Sequence, residues 1–361
     1  MRLVETLVVR DEADIVGAQI AYHLNAGIDF VIATDHASRD GTTEILDSFA
    51  RQGYLRRLPE KGPVREVEWR TRMAQLAAND HGADWVIAAD ADEFWLPRFG
   101  TLREALAAVP ERFGVVGGVI CHFVPRPDDG RMFADRMTTR LSPHAALNDP
   151  TSPWRPSPKV VHRADPHAVV RHAGYLIEST FLEALPGWNL FDVLHFPCRS
   201  VEQWARKTTR RGHSGADKPL GQYVKGLHAA ADGRIDDLYR SLVVDDAMLA
   251  AGLEAGVLVE DVRLRDALRA AGLTGPGSRG KMPAPSHPPA PDEVDQRTRT
   301  TEELVRAAVN STALYDAMIV RFQRNLEGTP GRVRALEDRA RAGMVERLFG
   351  RRLARRDPRR I

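Results

Sequence analysis

The chain has 361 residues, of which 43% are hydrophobic and 28% charged, the usual balance of a folded globular protein. The charges of its 51 Lys and Arg residues nearly cancel those of its 49 Asp and Glu residues, which leaves a net charge of +2. This charge argues against a dedicated nucleic-acid-binding protein, because such proteins have a strong basic excess. The longest uncharged stretch, 113–125, is too short to span a membrane, so we expect a soluble protein. Because Cys121 and Cys198 are too few for a disulfide framework, we expect free thiols in a reducing cytoplasm, with one bridge as the alternative.

The first 110 residues alternate between short apolar runs and segments with helical spacing. The runs at 3–9, 30–34 and 85–89 predict buried parallel strands. Helical spacing predicts helices over the segments between them, at 14–26, 42–52 and 66–81. This repetition is typical of a mostly parallel α/β sheet, in which ligands bind at the carboxyl ends of the strands.

From residue 113 onward the pattern changes. We predict four further strands, at 113–125, 158–162, 168–177 and 190–196, and helices over most of 201–273. A Pro- and Gly-rich linker and a basic helical tail follow. The chain thus divides into five segments: 1–110, 111–215, 216–273, the linker 274–292 and the tail 293–361.

Acidic residues follow each of the first three predicted strands. Asp90 and Asp92 come directly after the third, and two carboxylates at this spacing can bind a divalent cation or a ribose. A surface acidic turn is the alternative. Glu12 follows the first strand and Asp35 the second, while Asp40 and its neighbouring glycine predict a tight turn that caps the next helix.

Three segments resemble family-2 glycosyltransferases. TDHASRDGTTEIL (34–46) is similar to their acidic loop, and DWVIAADADEF (84–94) to their D-x-D strand end. HFPCRSVEQ (195–203) resembles a late segment of a bacterial branch that also opens with V-R-D/N-E-A-D and carries D-A-D-E-F. The resemblance covers about residues 1–210 and implies the GT-A fold, an α/β sheet with flanking helices, followed by a helical C-terminal region. Residues 1–110 would then be the nucleotide-sugar-binding half of this domain, and residues 111–215 the acceptor-side half.

The resemblance also implies roles for individual residues. It places Glu12 and Asp35 near the base and ribose of a nucleotide-sugar donor, and His36 stands where many relatives carry a second acid. The implied metal ligands, for Mn²⁺ or Mg²⁺, are Asp90, Asp92 and His195. The full set predicted to bind the donor is Arg10, Glu12, Asp35, Arg72, Asp90 and Arg199.

The leaving diphosphate needs positive charge and the acceptor hydroxyl needs a base. A metal ion and basic side chains supply the charge, and the candidates are Arg70, Arg72, Lys159, Arg199 and Lys207. Arg72 and Arg199 are the best placed of these, with a solvated surface role as the alternative. If the reaction inverts the sugar, as family 2 implies, Asp192 is the first candidate base, followed by Glu93 and Glu178. Asp192 is alternatively a structural partner of Arg199.

The sequence therefore predicts a metal-dependent glycosyltransferase that moves a sugar to a glycan or another hydroxyl acceptor. The alternatives are a metal-dependent nucleotidyltransferase and a non-catalytic sugar-nucleotide-binding protein. Residues 331–361 contain 11 Arg and 4 acidic residues, and their apolar stripe is typical of a helix at an anionic membrane surface. The alternative for this tail is a docked or solvated helix, and we expect a cytoplasmic protein, at most peripheral to the inner membrane face.

Overall fold

A computed structural model describes residues 1–98, 100–142, 158–171, 174, 176–212 and 221–273. The predicted linker at 274–292 and the predicted basic tail at 293–361 lie outside the described residues. The described strands are β1 (Leu3–Val9), β2 (Phe30–His36), β3 (Leu55–Glu60), β4 (Trp85–Asp90), β5 (Glu93–Pro97), β6 (Phe113–His122), β7 (Thr139–Leu141), β8 (Pro158–Arg163), β9 (Val169–Arg171), β10 (Leu176–Glu178), β11 (Glu183–His195) and β12 (Leu258–Glu260). The described helices are α1 (Val16–Asn25), α2 (Thr42–Arg51), α3 (Glu66–Asn79), α4 (Leu102–Ala107), α5 (Phe133–Arg136), α6 (Val201–Gly212), α7 (Gly221–Ala231), α8 (Ile235–Arg240), α9 (Asp246–Glu254) and α10 (Arg263–Ala270).

Eight strands form one mixed sheet in the order β3-β2-β1-β4-β8-β6-β11-β5. The first four are mutually parallel, which confirms the prediction for β1, β2 and β4 and adds β3, a strand that the sequence did not predict. Strand β11 is parallel to β6. Strand β8 lies between β4 and β6 and is antiparallel to both, and β5 is antiparallel to β11. The predicted α/β class with helices flanking the sheet is confirmed.

Strands β1 and β4 are buried and consist mainly of apolar residues. Val4 of β1 and Val86 of β4 are fully buried beneath α3, which contributes Met73 and Ala74 to the same cluster. Strands covered by helices need continuous apolar runs rather than an alternating pattern. The apolar runs identified in the sequence are therefore the strands that hold the acidic strand ends in place.

Strand β5 is an element that the sequence did not predict. Only Ala91 and Asp92 separate it from β4, and it crosses the sheet to pair with β11. In that pairing Glu93 lies opposite His195. The motif that the sequence placed in a loop is therefore a sharp turn between two buried strands.

The predicted single strand over 168–177 is wrong. The structure has two short antiparallel strands there, β9 and β10, which form a sheet of their own. Gly174 lies between them with φ +85°, and a Cβ at this position would be 3.0 Å from the Cβ of Ala88. Because the backbone has a positive φ and lies so close to β4 at this point, only glycine fits there.

The segment after β11 is mainly helical, as predicted, but it also contains β12. Cys198, Trp204 and Tyr239 form a small apolar cluster between the start of α6 and α8. Strand β12 pairs with β7, and this pairing joins the helical segment to the part of the chain that follows β6. Both cysteines are free and buried, and no helix in the described part of the chain has the length and hydrophobicity needed to cross a membrane.

Candidate active site

The ends of three parallel strands meet at one edge of the sheet. In the strand register, Val9 of β1 lies beside Asp35 of β2, and Val8 lies beside Asp90 of β4. The loops that follow these strands therefore start next to one another. The structure brings the three acidic strand ends together, as the sequence predicts.

Asp92 is a buried carboxylate of this group and lies beside three basic side chains. Lys207 of α6 donates a hydrogen bond to its Oδ2 atom, and His195 Nε2 lies 3.5 Å from the same oxygen. Arg199 Nη1 is 3.9 Å from it. Burial by itself raises the pKa of Asp92, but Lys207 and His195 outweigh burial and hold this pKa well below its usual range. The carboxylate is therefore anionic and surrounded by positive groups.

His195 is held by a second histidine that the sequence prediction left out of the site. Strands β11 and β6 pair His195 with His122, and the two Nδ1 atoms are 2.9 Å apart. One Nδ1 donates the hydrogen bond and the other accepts it, so the two rings carry opposite protonation at this atom. The signal in the sequence is weak, because His122 follows an apolar run that is equally typical of a packed strand.

Asp90 is held by two buried cations. Arg70 of α3 donates to its Oδ1 atom, and Lys159 Nζ of β8 lies 3.0 Å from its Oδ2 atom. Lys159 Nζ is also 3.0 Å from Glu93 Oε2, which accepts a further hydrogen bond from the Asp90 amide. Burial raises the pKa of Glu93, and the charge of Lys159 opposes this rise. Glu93 is thus a buried part of this ion cluster.

Arg199 connects the late HFPCRSVEQ segment to the end of β1. It is buried, and its guanidinium group is 2.5 Å from Glu12 Oε2 and 2.6 Å from Asp14 Oδ2. Its Nη1 atom also donates to the Phe196 carbonyl at 2.9 Å. Burial raises the pKa of Glu12, with Arg199 acting against it. Glu12 and Arg199, each predicted to bind the donor, therefore pair with one another and connect two distant segments of the chain.

Asp35 organises the loop between β2 and α2. It accepts hydrogen bonds from the Ser38 amide at 3.1 Å and from Thr43 Oγ1 at 2.6 Å. Asp40 Oδ1 accepts from the amide of Thr42, and Gly41 between them has φ +102°. The predicted tight turn at Asp40 is confirmed, and the glycine supplies the positive φ that it requires. The predicted side-chain cap is wrong, because the N-cap residue of α2 is Gly41 itself and no side chain caps the helix there.

His36 has a defined tautomer. Its Nε2 atom is 2.8 Å from the Gly62 carbonyl, which can only accept, so the ring proton is on Nε2. Nδ1 is then the acceptor for Arg10 Nη1, at 3.5 Å. His36 therefore holds Arg10 at the end of β1, and it packs against the ring of Trp69.

Two cavities lie at the carboxyl ends of β1 and β3. One, of about 580 Å³, is lined by Arg10, Asp11, Ala205, Arg206 and Thr209. The other, of about 410 Å³, is lined by Glu60, Lys61, Pro63, Arg65, Glu68, Trp69 and Arg72. The predicted Arg72 belongs to the second cavity, where it pairs with Glu60 at 2.6 Å.

Two of the three predicted bases are engaged elsewhere. Asp192 is three residues before His195 on β11, so it points to the opposite face of the sheet, where Arg98 and Arg263 each donate to it at 2.9 Å. The alternative pairing of Asp192 with Arg199 is wrong, since Arg199 pairs with acidic residues near β1 and with Asp92. Glu178 is half-exposed on β10 and pairs with Arg171 at 2.7 Å.

The predicted metal ligands are only partly assembled. Within the described ranges, no group of three or more His, Cys, Asp or Glu side chains is arranged to hold a metal ion. Asp92 Oδ2 and His195 Nε2 are 3.5 Å apart. Two ligands bound at about 2.1 Å to one ion lie about 3.0–3.4 Å apart, so this pair fits a shared cation after a small adjustment. The carboxylate of Asp90, the third predicted ligand, is bound by Arg70 and Lys159.

Residues 4–112, less than a third of the chain, match the model of Glycosyltransferase family 92. No curated protein sequence matches the chain. Among solved structures, residues 1–349 of S. aureus TarS in complex with UDP-GlcNAc are 14% identical, with 63% of this chain and 70% of that chain covered and a TM-score of 0.33. The same protein in complex with UDP has the same identity and coverage and a TM-score of 0.32. The family match confirms the prediction of a glycosyltransferase, although the matched family is 92 and the motifs resemble family 2.

Proposed function

We propose that this protein transfers a sugar from a nucleotide-diphosphate donor to a hydroxyl acceptor with the help of Mn²⁺ or Mg²⁺. The observation that carries the proposal is the anionic Asp92 at a parallel strand end, in contact with Lys207, His195 and Arg199. A diphosphate leaving group needs this combination of a cation ligand and fixed positive charge. The glycosyltransferase family match supports the same reaction class.

In this proposal Asp92 and His195 hold the divalent cation. When bound, the ion supplies positive charge to the leaving diphosphate. His122 fixes the orientation of the His195 ring through the bond between their Nδ1 atoms. Arg199 adds a permanent charge that cannot be lost by deprotonation. Asp90 acts indirectly, because it orders Arg70 and Lys159 beneath the site.

The nucleotide part of the donor is assigned to the cavity beside Arg10 and Arg206. This cavity lies between the end of β1 and α6, the helix that also carries Lys207. Arg10 is held there by His36, and the loop fixed by Asp35 begins immediately after that histidine. Glu12 and Asp35 thus shape the donor site by positioning Arg199 and the loop. Arg72 belongs to the neighbouring cavity at β3 and serves the outer part of the donor.

Inversion at the sugar and a glycan acceptor belong to the proposal on the strength of the family-2 resemblance. Glu93 is the predicted base nearest to Asp92 in the chain, but its carboxylate is buried and bound to Lys159. We therefore assign it to holding Lys159 in place.

Nucleotide binding and product release test this function directly. Titration of the full chain with UDP, GDP, CDP, ADP and dTDP, with and without Mn²⁺, is expected to give metal-dependent binding of at least one. The corresponding nucleotide sugars, offered with hydroxyl acceptors, should release the nucleoside diphosphate. Asp92→Asn should abolish both effects, whereas Asp80→Asn, on a half-exposed acid paired with Arg56, should leave them unchanged.

Three results would overturn the proposal. Release of pyrophosphate from a nucleoside triphosphate would identify a nucleotidyltransferase. Binding of a nucleotide sugar without any transfer or hydrolysis would identify a binding protein. Unchanged metal-dependent turnover by Asp92→Asn would remove Asp92 from the site.

A further inference from the structure

Lys207 occupies the carboxylate oxygen that a metal ion would need. Its ammonium group bonds to Asp92 Oδ2, the same atom that faces His195 Nε2 at 3.5 Å. An ammonium group and a divalent ion on the same oxygen repel each other strongly. Binding of a divalent ion between Asp92 and His195 is therefore favoured when the ammonium group leaves.

The other cations around the site are fixed. Arg199 is buried and bound to Glu12, Asp14 and the Phe196 carbonyl. Lys159 has no exposed surface. Lys207 is 11% exposed, and it has a flexible four-carbon side chain whose charge can follow a new partner. It is therefore the positive group at this site that is best able to move.

We propose that Lys207 and a divalent cation alternate on Asp92, and that the displaced ammonium group of Lys207 then binds the diphosphate of the donor. This inference rests on the proposed function. In the empty protein Lys207 neutralises Asp92 and weakens metal binding. With a diphosphate present, the same side chain gains an anionic partner, so the metal ion and the diphosphate strengthen each other's binding.

Substitution of Lys207 is expected to move two affinities in opposite directions. In Lys207→Met, Mn²⁺ binding to the protein alone should tighten about tenfold, because a charge-assisted hydrogen bond no longer competes for Asp92. Binding of inorganic pyrophosphate at saturating Mn²⁺ should weaken about tenfold, because its cationic partner is lost. Electron paramagnetic resonance of free Mn²⁺ measures the first affinity, and calorimetry with the full chain measures the second.

Matched variants separate this exchange from general effects of charge. Lys207→Gln should behave like Lys207→Met, which keeps the test open if one of the two fails to fold. Lys207→Arg retains the cation and should remain near the wild type in both measurements. Arg240→Met removes one positive charge from an exposed site on α8 and should change neither affinity.

The outcomes distinguish this inference from the function on which it rests. If the wild type binds Mn²⁺ and a nucleoside diphosphate but Lys207→Met shifts both affinities in the same direction, only the exchange is overturned. Unchanged affinities in Lys207→Met overturn it as well. A wild type that binds neither Mn²⁺ nor any nucleoside diphosphate overturns the proposed function and the exchange together.

Discussion

Removing the charge of Lys159 should destabilise the fold far more than removing an exposed cation. Lys159 is fully buried, and its Nζ atom is 3.0 Å from both Asp90 Oδ2 and Glu93 Oε2. Lys159→Met leaves Glu93 buried without this partner, whereas Asp90 keeps Arg70. Removing one partner of a buried ion pair lowers the free energy of unfolding by about 3–5 kcal/mol. For Lys159→Met we expect a value near the lower limit, about 3 kcal/mol.

The pH dependence of this loss follows from Glu93. Burial raises the pKa of Glu93 above its value in the unfolded chain, and Lys159 opposes that rise. Without Lys159 the pKa of Glu93 in the folded state rises further. A carboxyl group with a raised folded-state pKa stabilises the fold at low pH, and this contribution is lost as the pH increases through that pKa. Lys159→Met should therefore be less destabilising at pH 5 than at pH 8.

Urea unfolding followed by tryptophan fluorescence measures both effects. The double variant Lys159→Met/Glu93→Gln, which has no unpaired buried charge at Glu93, should recover part of the lost stability. The matched control is Arg72→Met, because Arg72 is 46% exposed and its pair with Glu60 should contribute less than about 1 kcal/mol. A loss below about 1 kcal/mol in Lys159→Met, or an equal loss in the double variant, would refute the reasoning.

Three further predictions concern separate groups. Asp192→Asn should cost about 1 kcal/mol of stability, because it weakens part-exposed ion pairs with two arginines. The rate of sugar transfer should stay within about threefold of the wild type. A hundredfold or greater loss of this rate would identify Asp192 as the base. Burial raises the pKa of the Cys198 thiol to about 12 and that of Cys121 to about 11, so neither should react with a thiol reagent at pH 8 until the protein is unfolded. His122→Phe should weaken Mn²⁺ binding about tenfold, and His122→Asn, which keeps a polar group towards His195, should weaken it less; equal losses in calorimetry would contradict this role.

Much of the first half of the fold could be predicted because local patterns report burial. The apolar runs at β1, β2 and β4 can each be recognised from consecutive residues alone. The acidic residues lie where those strands end. Strand β3 was missed because its sequence, LRRLPE, is charged and half-exposed at the edge of the sheet. Strand β5 was missed because its acidic first residue looks like a loop residue until its partners are known.

The sequence by itself determined the α/β class, the three acidic strand ends and the tight turn before α2. These features depend on residues close together in the chain, where periodicity and glycine conformation act directly. Only the tertiary structure decided which cation meets which carboxylate. Asp92 and Lys207 are 115 residues apart in the chain, and Lys159 reaches Asp90 only because β8 enters the sheet beside β4. Ion pairs depend on distance in space, and the strand order that sets this distance results from packing the whole sheet.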